Sequence, residues 1–149
     1  MFVVDTNVLL YAADTSSEFH RPCRSLVEAA RSGPTPWFLT WGIAYEFLRV
    51  ATHPRVYARP RTAPEAHGFL SALLESPSAR VLTATDRHGA VLSACLAEVP
   101  EARGNLMHDL HTAALMREHG ISRIITRDRD FHRFPFLDVV DPLRAPAVG

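Results

Sequence analysis

The sequence predicts an α/β domain in three layers, a central parallel sheet of four to five strands flanked by helices. Three observations point to it. Short unbroken apolar runs recur along the chain, as in strands buried on both faces. Segments with helical spacing separate those runs, and parallel strands need such crossovers. Finally, 149 residues at 47% hydrophobic content can bury about two thirds of the unfolded surface in one core and leave no room for a second. Residues 1–149 are therefore read as a single domain.

Residues 1–4 (MFVV) form the first apolar run, and Asp5, Thr6 and Asn7 supply helix-capping side chains directly after it. A helix through Val8, Leu9, Leu10 and Tyr11 should follow. Ser16 and Ser17 can cap a second helix, in which Phe19, Cys23, Leu26, Val27 and Ala30 recur at helical spacing until Gly33-Pro34 stops it. Trp37–Thr40 reads as the second strand. From Trp41 to about Thr52 apolar residues cover most of a helix, which implies burial against more than one neighbour, another subunit among them. The stretch 53–61 (HPRVYARPR) is irregular and positively charged, and a further helix begins near Pro64. A third strand is expected at residues 80–83, a helix at 90–97, and a longer helix at 105–119 closed by Gly120. Residues 121–126 give the fourth strand and 137–140 the fifth.

Composition removes several chemistries. Lys and Arg together number 16, equal to Asp plus Glu, so net charge says nothing about a nucleic-acid partner. All the basic residues are Arg, which excludes a Walker-type phosphate loop, a Schiff base and a Ser-Lys pair. Cys23 and Cys95 are far apart and form no CxxC, so neither a disulfide framework nor a zinc knuckle is expected. With no basic leader and no apolar run approaching about 18 residues, a cytoplasmic protein that spans no membrane is the expectation.

The informative residues are carboxylates. In an open α/β sheet, sites form beyond the carboxyl ends of the strands, and Asp5 and Asp128 lie just past the first and fourth. Asp109 falls in the first turn of its helix, and Glu46 sits between Tyr45 and Phe47. Taken singly, Asp5 is a cap, Asp109 complements a helix dipole, Asp128 and Asp130 are turn residues, and Glu46 partners Arg49. Directed together at one crevice they would repel strongly unless a cation neutralised them. Carboxylate oxygens favour Mg2+ or Mn2+, and such an ion supports in-line attack of water on a phosphodiester. Asp5, Glu46, Asp109 and Asp128 are thus the candidate catalytic residues. The same four with Asp130 are the candidate metal ligands, and the hydroxyls of Thr6 and Thr126 are placed to orient a carboxylate or a metal-bound water.

Asp5-Thr6-Asn7-Val8-Leu9-Leu10-Tyr11, Glu46 in mid-helix, Asn105–Asp109, Thr126–Phe131 and the closing Val139-Val140-Asp141-Pro142 together resemble the PIN-domain nucleases, specifically the VapC-type toxins. The likeness covers essentially the whole chain. It implies a PIN-like three-layer fold and a Mg2+- or Mn2+-dependent endoribonuclease acting on structured cellular RNA such as tRNA or rRNA. It also implies a homodimer and inhibition by a cognate VapB-type antitoxin. Asp5, Glu46 and Asp109 match the first three acidic positions of the family and Asp128 the fourth, with Asp130 beside it. Leu110 departs from the pattern, standing where many relatives have Ala.

Alternative readings are an RNA-processing nuclease of the same fold without an antitoxin and a non-catalytic module that binds RNA or protein. The filled acidic positions argue against the latter. A phosphoaspartate enzyme, which usually neutralises its phosphate with a lysine, ranks far behind in a chain without one. For RNA, Arg49, Arg55, Arg59 and Arg61 with His53 and Tyr57 offer guanidinium forks and a stacking ring. For an antitoxin, the acidic crevice would accept an arginine, and Trp37, Phe38, Trp41 and Phe47 are the expected apolar groove. His108 and His111, three apart, have the spacing of zinc ligands on a helix, but no further His or Cys in the sequence pairs with them, and they are read as exposed helix residues.

Overall fold

The computed structural model describes residues 1–144; the last five residues of the proposed domain lie outside the described residues. Five strands, β1 (Phe2–Val4), β2 (Trp37–Thr40), β3 (Ala79–Leu82), β4 (Arg123–Ile125) and β5 (Asp138–Val140), form one sheet. Every pairing is parallel and the spatial order is β3-β2-β1-β4-β5. The helices are α1 (Thr6–Ala13), α2 (His20–Ser32), α3 (Trp41–Ala51), α4 (Ala63–Leu74), α5 (His88–Glu98) and α6 (Leu106–Glu118). A short 3-10 helix, Arg129–Arg133, leads from β4 towards β5.

The order of strands fixes where a site can lie. The chain steps outward from β1 to β2 to β3, then returns past β1 to place β4 on its other side. With right-handed crossovers, that reversal sends α1–α4 to one face of the sheet and α5–α6 to the other. It also opens a crevice at the carboxyl ends of β1 and β4, the switch point where ligands bind in such sheets.

Local chemistry explains the element ends. Thr62 and Glu65 form a reciprocal capping box at the start of α4, satisfying two otherwise free amides. At the end of α6, Gly120 takes φ +68°, and the Gly120 and Ile121 amides donate to the Arg117 and Met116 carbonyls at 3.2 and 2.8 Å. That closure needs a left-handed residue, which glycine adopts without penalty. One expectation fails: Ser16 and Ser17 do not cap α2. Ser16 bonds Asp14, Ser17 Oγ accepts from the Phe19 amide, and the helix begins at His20. The Asp14 carboxylate, two residues away, takes both the amide and the hydroxyl of Ser16 and so outcompetes the helix for it.

The core lies on both faces of the sheet, with Trp37, Leu39, Phe47, Leu110, Met116, Phe131 and Phe134 fully buried. Phe47 of α3 stacks on Phe69 of α4, ring centroids 5.2 Å apart. Replacing Phe47 with Ala should cost about 3–5 kcal/mol, a large share of the stability of a domain this size. Denaturant unfolding checks this, and a loss well under about 1 kcal/mol would contradict the packing described.

Candidate metal centre

Asp5 continues directly from β1, and its amide donates to the Ile125 carbonyl of β4 at 3.1 Å. Its side chain is buried at the N-cap of α1. Oδ1 accepts from the Thr6 amide at 2.7 Å, and Oδ2 accepts from Asn7 Nδ2 at 2.7 Å and from Thr126 Oγ1 at 2.6 Å. Asn7 Oδ1 in turn accepts from the Arg127 amide at 3.1 Å, and Thr126 Oγ1 accepts from the Asp128 amide at 2.9 Å. The ends of β1 and β4 are therefore knitted together by side chains around one carboxylate. Burial pushes the Asp5 pKa up to about 6. Its hydrogen bonds to Thr126 and Thr6 oppose that shift, and the charges of Asp128 and Glu46 add to it.

Asp109 reaches the same crevice from the first turn of α6. Burial, followed by the charges of Asp128, Asp5, Asp130 and Glu46, raises its pKa to about 7. One carboxylate oxygen from each of Asp109, Asp128 and Asp130 lies within 4.8 Å of the others. The last two are not equivalent. Asp128 caps the 3-10 helix through Oδ1, which accepts from the Asp130 amide at 2.9 Å. Asp130 is half exposed and pairs with Arg133 at 3.1 Å, and only Asp128 of the two contributes to the shift at Asp5.

Glu46 completes the ring from α3, on the exposed side of the crevice. Its Oε2 accepts from Thr6 Oγ1 at 3.4 Å, and its Oε1 faces Arg49 Nη2 at 3.4 Å. The five predicted acids thus come from four elements into one electrostatic unit, and Thr6 and Thr126 both bond members of it. Every charged donor is a carboxylate oxygen, a set suited to a hard divalent ion.

The predicted arginines do not all gather there. Arg49 stands beside Glu46. Arg61 instead donates to the Ala13 carbonyl at the end of α1, where a guanidinium meets the negative end of a helix dipole. Arg59 and Arg61 line a surface hollow with Ala13, Asp14, Ala51 and Tyr57. That hollow lies at the far end of α1 from Asp5, about 12 Å along the axis at 1.5 Å per residue. Arg55 is exposed in the same connection.

Asn7 is the residue that sequence reasoning passed over. It reads as a helix-capping side chain, yet it bonds Asp5, Thr126 and the Arg127 amide at once. Only its position beside Asp5 hinted at this, because the partners at 126 and 127 are remote in sequence. The apolar groove also needs correction. Trp37 and Phe47 are fully buried in the core, whereas Trp41 and Tyr45 on α3 are 53% and 71% exposed. Helical spacing alone did not separate the two faces of so apolar a helix. His108 and His111 are exposed on α6, as expected from the sequence; the His111 ring also meets that of His88, and partial burial with the neighbouring His88 and His108 lowers its pKa.

Comparison with known proteins agrees with this geometry. The family model described as PIN domain matches residues 2–137. Ribonuclease VapC48 of Mycobacterium tuberculosis is 35% identical over 138 residues, covering 93% of this chain and 94% of its own. Among solved structures, Mycobacterium tuberculosis VapC20, described as a Sarcin-Ricin loop cleaving toxin, aligns with a TM-score of 0.68 at 20% identity, over 95% of this chain and 100% of that one. VapBC2 from Rickettsia felis, bound to a DNA fragment from their promoter, aligns with a TM-score of 0.63 at 13% identity over 93% and 96%. A family model and a curated relative that each span nearly the full length, on a fold that gathers the acids at its switch point, establish that this chain belongs to the PIN domain family, in its VapC branch.

Proposed function

We propose that the chain is a divalent-metal-dependent endoribonuclease, the toxin of a toxin–antitoxin pair, which hydrolyses phosphodiester bonds in structured cellular RNA. The observation that carries this reading is the convergence of Asp5, Glu46, Asp109, Asp128 and Asp130, with two of their pKa values pushed up by burial and mutual repulsion. An arrangement so costly when ionised is economical only with a cation among the acids. Names of the relatives, VapC48 as a ribonuclease and VapC20 as a toxin cleaving the Sarcin-Ricin loop, favour RNA over other phosphodiesters.

Asp5, Asp109 and Asp128 would hold Mg2+ or Mn2+, with Asp130 at the margin because Arg133 competes for it. When bound, the ion supplies Lewis acidity that neutralises charge on the scissile phosphate and lowers the pKa of water. Asn7, Thr6 and Thr126 hold the Asp5 carboxylate in one orientation, so little reorganisation is needed when charge develops. Glu46, exposed at the edge of the ring and bonded to Thr6 beside Asp5, is positioned to take a proton at its carboxylate, and Thr6 keeps that group facing the crevice. Arg49 would meet a phosphate next to the scissile one, and Arg55 and Arg59, a helix length away, would meet the strand further along.

The antitoxin would act through the same charge, placing an arginine among the carboxylates in competition with the metal. The exposed Trp41 and Tyr45 face of α3, continuous with Leu70 and Leu74 of α4, is the surface that a segment of the antitoxin would cover beside it. A homodimer remains part of the proposal.

Asp5→Asn, assayed on structured RNA with Mn2+, should lose at least about 100-fold in cleavage rate, the equivalent of roughly 3 kcal/mol of transition-state stabilisation. Asp130→Asn should lose less than about 10-fold. Equal cleavage by wild type and Asp5→Asn would reject the assignment.

A pH effect on the metal-free protein follows. Asp5 and Asp109 are raised from about 4 in the unfolded chain to about 6 and about 7 in the fold, so the folded state binds more protons between those limits. Its stability should fall as pH rises from about 4 to 7. Thermal unfolding should show Mn2+ raising Tm more at pH 7.5 than at pH 5, with the difference reduced in Asp109→Asn. A larger metal effect at pH 5 would contradict the sign.

A further inference from the structure

Behind Asp109, on the other side of α6, stands a second cluster that the acid crevice does not use. Glu118, in the last turn of α6, has a side chain with no solvent exposure. Its Oε1 accepts from both the amide and the hydroxyl of Thr85, and its Oε2 lies 2.8 Å from Nδ1 of His88. The bond to Glu118 assigns a proton to Nδ1 of His88, which donates it, and leaves Nε2 as the ring nitrogen turned to other partners. His88 is the first residue of α5, and its ring faces that of His111 on α6, with centroids 5.8 Å apart and planes at 87°. His111 is exposed, and its Nδ1 edge lies over Gly42 of α3, where even a Cβ would come within 3.5 Å.

We propose that His88 and His111 form a binding site for a borderline divalent transition ion such as Zn2+, separate from the carboxylate crevice, with Glu118 as the group that orients His88. Two imidazoles that share a tetrahedral zinc at about 2.1 Å hold their ring centroids roughly 5–6 Å apart, and the observed separation of 5.8 Å falls in that range. A ligating histidine nearly always donates its other ring N–H to a carboxylate or carbonyl, and here the acceptor is buried and held by two further donors. Nitrogen ligands select zinc, nickel or copper, whereas the five carboxylates select magnesium or manganese, so the two sites sort ions by chemistry. His108, one turn before His111 on α6, is the nearest further imidazole on that helix; water fills the remaining positions. Occupancy would tie the start of α5 to α6, the helix that carries Asp109, and leave the acids free.

The test uses the untagged full chain with Asp5 and Asp109 both changed to Asn, which silences the carboxylate crevice. Titration with Co2+ as a spectroscopic probe, followed by displacement with Zn2+, should show one ion bound with the visible absorption of nitrogen ligation. Adding His111→Gln or His88→Gln should abolish that absorption, and adding Glu118→Gln should weaken binding about 10–100-fold. Circular dichroism confirms that each variant is folded, and the conservative Gln replacements guard against collapse of the α5–α6 contact. Absence of Co2+ and Zn2+ binding in the crevice-silenced chain would overturn the site. So would binding unchanged by His111→Gln, or a histidine variant that lowers RNA cleavage in the otherwise native chain while metal uptake is unaltered, which would mark the pair as an RNA contact instead. Failure of the nuclease reading leaves this outcome untouched, since the readout is metal binding that depends on the two histidines, in a chain whose crevice has lost Asp5 and Asp109.

Discussion

The carboxylate of Asp5, buried between the ends of β1 and β4, is the interaction on which the rest of the centre depends. It terminates the first strand, starts the first helix and accepts from Thr6, Asn7 and Thr126. Those donors lie just past the ends of β1 and β4, strands that become neighbours only because the chain reverses direction after β3. Asn7 and Thr126 then pass the order on to the Arg127 and Asp128 amides, so the loop bearing the fourth and fifth acids is registered against the first. A hydrogen-bonded net of this kind is rigid because each buried polar group is satisfied by another member.

Rigidity of that kind has an electrostatic cost. The net holds Asp5 near Asp128 and Glu46, and α6 brings Asp109 into their field, so ionisation of one acid opposes that of the next. The apolar core beneath, with Phe131 and Leu110 directly next to acidic positions in sequence, supplies the burial that sharpens the repulsion. Local strain of charge against fold is common where a ligand later relieves it. Leu110, the departure from the family pattern, is accommodated in that core at 2% exposure.

Helix α6 links the two chemistries of the molecule. Its first turn presents Asp109 to the crevice, while its last turn buries Glu118 against Thr85 and His88. Because α5 and α6 pack together behind the sheet, the loop from β3 to α5 is anchored on the helix that carries a catalytic candidate. Cys23 and Cys95 are both buried with free thiols, and burial raises the Cys23 thiol to about 11, which leaves it a packing residue. Among the described residues, no helix is long and apolar enough to cross a membrane.

Much of this was legible in the sequence. Unbroken apolar runs such as Phe2–Val4 mark a doubly covered parallel sheet because both faces must be apolar, and Gly120 marks a helix end because only a residue free at positive φ closes it. The acids were legible as well, since a strand end and a helix first turn fix where Asp5, Asp109 and Asp128 must point. Other features were decided by tertiary structure alone. Which aromatics of α3 face solvent, where Arg61 spends its charge, that Asn7 bridges two strands and that His88 meets His111 all depend on elements remote in the chain. Periodicity reports which face of an element is apolar, whereas contacts across 31 to 121 residues, such as Arg87 with the Glu118 carbonyl or Thr126 with Asp5, arise only once strand order has set the neighbours.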